Sequence, residues 1–153
     1  MRDDLPARAL VALILTAGAL LAPPGAADAS AQARKIFATP TLVSLPDPGP
    51  ADFDFAYVQY EGTVELSIDV PAGHAWSILV RCEDADLGGG KPVADLLYRR
   101  AGTSTWIPAS TVEQLFMTGN SDSTVLVEIG VALDWATDPP ADHSGTLRFR
   151  VNN

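Results

Sequence analysis

The chain has 153 residues, with 10 basic against 19 acidic side chains and a formal net charge of −9. That acidity repels phosphate backbones and anionic lipid, so nucleic acid is not an expected partner. A single cysteine, Cys82, excludes an internal disulfide framework, and the length suits one domain that buries its own core.

The first 33 residues read as an export leader. Arg2 and Arg8 flank a basic start, and a 14-residue uncharged, mainly apolar run extends from Ala9 to Ala22. Pro23-Pro24-Gly25 follows, then small residues at cleavage spacing, Ala27-Asp28-Ala29 or Ala31-Gln32-Ala33. Fourteen residues fall short of the roughly 20 needed to cross a bilayer core, and the prolines break a continuing helix. The expected organisation is a signal peptide over 1–29, with the second site placing the cut as late as 33. An N-terminal extension over 30–40 and one domain over 41–153 complete it. The product, Ser30–Asn153, carries 8 basic and 16 acidic residues. It is expected to be secreted, periplasmic or on the cell surface, with no membrane span after cleavage.

Beyond the leader, period two dominates. Arg34, Lys35, Ile36 and Phe37 are read as a frayed start or as a strand offered to a neighbour. Thr41 to Leu45 is a short strand between prolines, and Phe53 to Tyr60 is a second. Thr63 to Val70 alternates without error, with Val64, Leu66, Ile68 and Val70 inward. Pro71-Ala72-Gly73-His74 turns the chain into Trp76 to Cys82, and these two runs are expected to form a hairpin. Cys82 shares the face of Trp76, Ile78 and Val80, which predicts a small apolar filler; the sharper alternative is a disulfide to another subunit.

Gly88-Gly89-Gly90 marks a flexible connection. Asp95 to Arg100 predicts a strand that turns at Gly102 into Thr105-Trp106-Ile107, and Val112 to Met117 is a strand or one helical turn. Thr124 to Trp135 is the longest alternating run, with Val125, Val127, Ile129, Val131, Leu133 and Trp135 on one face and Leu126 on the other. Gly145 to Val151 puts Leu147, Phe149 and Val151 inward. Seven to nine short strands at this spacing predict an all-β antiparallel sandwich, with Trp76, Trp106 and Trp135 as large core fillers.

Leu133-Asp134-Trp135, Asp138-Pro139-Pro140 and Ser144-Gly145-Thr146-Leu147-Arg148-Phe149-Arg150-Val151 resemble the ending of exported bacterial immunoglobulin-like surface domains, in pilus-subunit-like or cell-wall-associated style. The resemblance implies a single immunoglobulin-like sandwich and an envelope location. The chain departs from the pattern at Ala141 and His143, where a glycine and a corner tyrosine are usual. His143 is the implied replacement, donating to nearby backbone. The lone cysteine also departs from the disulfide common in chaperone–usher pilins.

No catalytic constellation emerges. His74 and His143 lie in turns, and Ser144 is in no Gly-x-Ser-x-Gly elbow, so no enzyme activity and no cofactor are expected. The only metal candidates are loop carboxylates suited to calcium: Glu83, Asp84 and Asp86 before the glycines, and Asp134, Asp138 and Asp142 around the prolines. Neither set has EF-hand spacing, and solvated loop acids are the plainer reading. Tyr57, Tyr60, Tyr98 and Trp106 are candidates for stacking on sugar rings, against cross-strand packing of Tyr98 with Trp106. The expected function is therefore a secreted, non-catalytic structural or adhesive surface protein contacting like subunits or an envelope protein. The alternative is a small carbohydrate- or ligand-binding module. An unpaired sheet edge favours the first and a coplanar exposed aromatic strip the second.

Overall fold

A computed structural model describes residues 12–18, 34–134, 136–138 and 141–152. Eleven strands run in chain order: β1 (Ala12–Gly18), β2 (Lys35–Thr39), β3 (Leu42–Ser44), β4 (Tyr57–Gln59), β5 (Val64–Asp69), β6 (Trp76–Cys82), β7 (Leu96–Arg100), β8 (Ile107–Pro108), β9 (Gln114–Gly119), β10 (Ser123–Ala132) and β11 (Ser144–Asn152). One short helix, α1 (Pro50–Phe55), precedes β4, and a 3-10 turn over Val93–Asp95 precedes β7. Trp135, Pro139, Pro140 and both expected cleavage sites lie outside the described residues.

The strands form two sheets. The six-stranded sheet has the order β2-β5-β10-β7-β8, with β4 also paired to β10. The five-stranded sheet has the order β3-β1-β11-β6-β9. Every pair is antiparallel except β1 with β11. The architecture is an all-β sandwich, as the alternation predicts. Its short extra strands, β4 and β8, help carry the number past the expected nine.

The core is the two inner faces. Val64, Leu66 and Ile68 of β5 and Val125, Val127, Ile129 and Val131 of β10 are buried on one side. Trp76, Ile78, Val80 and Cys82 of β6 meet Leu147, Phe149 and Val151 of β11 on the other. Each such side chain contributes about 1.5–3 kcal/mol on burial. Leu126, on the opposite face of β10, is exposed as expected. Trp76 fixes its neighbour's identity: it registers with Gly119, where a Cβ would collide with its ring, and its Nε1 donates to the Ser121 carbonyl at 2.7 Å.

Three expectations are corrected. The runs at Thr63 and Trp76 do not pair as a hairpin. Instead β5 pairs with β2 and β10 while β6 pairs with β11 and β9, so the Pro71–Gly73 turn carries the chain between sheets. Both strands alternate because both bury one face in the same core, and alternation does not say which sheet a strand joins. Second, Phe53 to Tyr60 is not one strand: Pro50–Phe55 is helical and only Tyr57–Gln59 is extended. Pro50 suits a first helical position, and Gly49 N donates to Asp52 Oδ2 at 2.7 Å. Ala56, at φ 61°, ends the helix in the left-handed region.

Third, Lys35–Thr39, expected in an N-terminal extension, is the edge strand β2, bonded in register from Lys35↔Asp69 to Thr39↔Glu65. Ile36 is buried there while Phe37 is 54% exposed. Part of the apolar run read as a leader core, Ala12–Gly18, forms strand β1. An uncharged apolar segment of seven residues suits a buried strand as well as a leader core, so composition alone does not separate the two.

Candidate functional site

The fold brings the two acidic loops side by side. Ser144 N donates to the Leu87 carbonyl at 2.8 Å, and His143 Nδ1 lies 3.1 Å from the Gly88 carbonyl, to which it donates. His143 is buried, so it makes the backbone bond implied for the corner tyrosine. Gly88 has φ +96°, and a Cβ there would come within 3.1 Å of the Asp142 carbonyl, so the loop requires glycine.

The acids are turned to structural tasks. Glu83 accepts from Arg81 Nη2 and Arg148 Nη1, both at 3.1 Å, and these guanidinia hold its carboxyl below the usual range. Asp84 Oδ2 accepts from Thr146 N at 2.5 Å, and Asp86 Oδ1 from Gly88 N at 2.7 Å. Asp134 Oδ1 accepts from Ala136 N at 2.8 Å, the leading cause of its lowered pKa. Asp138 pairs with Lys91, and its Oδ2 accepts from Asp134 N at 2.8 Å. The side chain of Asp142 is exposed. Among the described residues, no three His, Cys, Asp or Glu side chains gather where they could hold a metal ion.

Lys91, which the sequence reading passed over, is the unexpected member of this region. Its side chain is only 1% exposed, and its Nζ reaches Asp138 and, at 3.0 Å, Asp95. A buried ammonium needs such partners. The signal in the sequence is a lone cation between Glu83-Asp84-Ala85-Asp86 and Asp95.

The aromatics are committed to packing. Tyr98 is fully buried; its hydroxyl is 3.2 Å from Gln114 Oε1, its ring meets Phe116 edge-on at 5.4 Å, and burial pushes its phenol up to about 12. Trp106 does not pair with it: Tyr98 registers with Ile107. Trp106 instead carries the Arg99 guanidinium 4.0 Å from its ring centroid and meets Tyr57 at 63°. Tyr60 is half-buried. These rings do not form a coplanar exposed strip. Cys82 is buried and free, and burial raises its thiol pKa, which keeps it protonated and unreactive. His74 is exposed in the turn before β6.

The most unusual position in the fold belongs to β1. It lies inside the five-stranded sheet, parallel to β11 from Ala12↔Ser144 to Gly18↔Arg150 and antiparallel to β3 from Ala12↔Ser44 to Ile14↔Leu42. Leu13, Leu15 and Ala17 register with Gly145, Leu147 and Phe149, the buried positions of β11. Without β1, the edge of β11 and all of β3 lose their ladder partner. Each backbone group left buried and unpaired costs about 1–3 kcal/mol, so such an edge is a template for another strand. Leu42 of β3, the register partner of Ile14, is 59% exposed. Among the described residues no helix is long and apolar enough to cross a membrane. No family model matches the chain, and no curated protein matches it.

Proposed function

We propose that this is an exported, non-catalytic structural or adhesive protein of a bacterial cell surface, acting through strand-edge contact with another protein chain. One observation carries the reading: an interior strand of the five-stranded sheet comes from the segment that reads as a removable leader. Once the leader is cut away, β11 and β3 offer unpaired backbone to a strand supplied from outside. Most of the loop acids, His143 and the aromatic rings are engaged in packing or internal bonds, which gives less support to calcium, catalytic or sugar-binding readings.

The test is photo-crosslinking in a host that exports and processes the chain. A photoreactive residue at Leu42, beside the vacated position, is expected to give adducts of defined mass. The same residue at Val112, before β9 at the sheet's other edge, serves as control. Adducts at Val112 alone, or at neither position, overturn the proposal.

A further inference from the structure

We infer that the leader is a built-in plug: Ala12–Gly18 fills the very groove that a partner strand would use, and hydrolysis between β1 and β2 turns a closed sandwich into an open one. The inference rests on the edge-contact reading above and adds its regulation. Three observations support it. The seven residues of β1 pair along β11 without a register break, and three of them also pair with β3, so the groove is bridged on both sides. The segment carries no charge, so seating it between two other strands desolvates no ionised group. Both expected cleavage sites, after Ala29 and after Ala33, fall in sequence between β1 and β2. Cutting at either severs the plug from the domain without breaking any described strand.

The step is ordinary hydrolysis by a peptidase. Water adds across the Ala29–Ser30 peptide bond, the carbonyl of Ala29 becomes a carboxylate, and the nitrogen of Ser30 leaves as a new amine. Afterwards β1 is held by noncovalent contacts alone and is exchangeable. Before the cut it is tethered, so its effective concentration at the groove exceeds that of a free competitor. The five residues between Ala29 and Lys35 are too few to refill a seven-residue position, and Lys35–Thr39 is already bonded to β5.

The experiment uses the full chain with a sequence-specific protease site inserted between Ala29 and Ser30. Intact and nicked forms are titrated with a labelled synthetic peptide carrying residues 12–18 and a short lysine tail for solubility. A peptide of the same composition in scrambled order is the control. The expected result is at least tenfold tighter binding of the authentic peptide to the nicked form, with release of the native fragment. A second variant, Leu15→Pro in the uncut chain, removes one backbone donor from β1 and is expected to raise binding without any cut.

Equal binding to intact and nicked forms overturns the inference. So does a nicked form that stays folded by circular dichroism yet binds no peptide. A nicked form that unfolds when the fragment leaves overturns it too, because β1 is then an obligatory strand. Peptide exchange together with failed crosslinking at Leu42 breaks the edge-contact reading instead and leaves the plug standing.

Discussion

The two sheets of this sandwich are completed in different ways. In the six-stranded sheet β10 takes β5 and β4 along one side and β7 along the other, all from Tyr57 onward. In the five-stranded sheet β11 takes β6 on one side but depends on β1 for the other. One sheet is finished by the body of the chain and the other by a segment with the composition of a disposable one. A sheet's strength and its completeness are therefore separate properties, and substitutions can tell them apart.

The largest effect is expected from Phe149→Ala, which empties the inner face of β11 whatever occupies the groove. It should cost about 3–5 kcal/mol in denaturant unfolding, in cut and uncut chains alike. Asp138→Asn comes next, at about 3 kcal/mol, because it leaves the buried Lys91 ammonium with Asp95 alone. If it costs nothing, Asp95 suffices and the contact between the loops is incidental. Leu15→Pro should destabilise only the uncut chain, by about 1–3 kcal/mol, and that selectivity most directly separates the two sheets.

A smaller effect is titratable. Burial raises the Tyr98 phenol in the folded state to about 12, against about 10 in the unfolded chain. The folded state thus holds its proton more tightly. The associated stability is complete below about pH 10 and is lost as pH rises through about 12. Unfolding curves across that window should fall for the native chain and flatten for Tyr98→Phe. Smallest of all, Glu113→Gln on the exposed face should shift stability by less than about 1 kcal/mol, although Arg150 bonds both its oxygens.

The strands legible in the sequence were those with one face in the core and one in water. Val64 to Val70, Val125 to Val131 and Leu147 to Val151 alternate because their surroundings do. What stayed hidden depends on partners far along the chain. Alternation could not say that β5 and β6 belong to different sheets, since each meets the same core from its own side. The helix at Pro50 rests on one proline and one carboxylate reaching back to Gly49, inside a run otherwise coloured by aromatics. Lys91 was hidden for the opposite reason. Lysine is nearly always exposed, and the approach of Asp138, 47 residues later, joins Asp95 in making its burial tolerable. The acids were legible as residues, but the sequence did not reveal that backbone amides, arginines and this lysine engage most of them.

The depth of Lys91 also sets how the protein responds to ionic strength. Arg148–Glu83 and Arg150–Glu113 lie in reach of mobile ions, whose screening length is about 8 Å in physiological salt, so they fade in brine. The Lys91 ammonium is shut away from those ions, and its attraction to Asp138 is screened much less. A protein built this way lets its outer charges slacken with salinity while the seam between its two acidic loops stays closed.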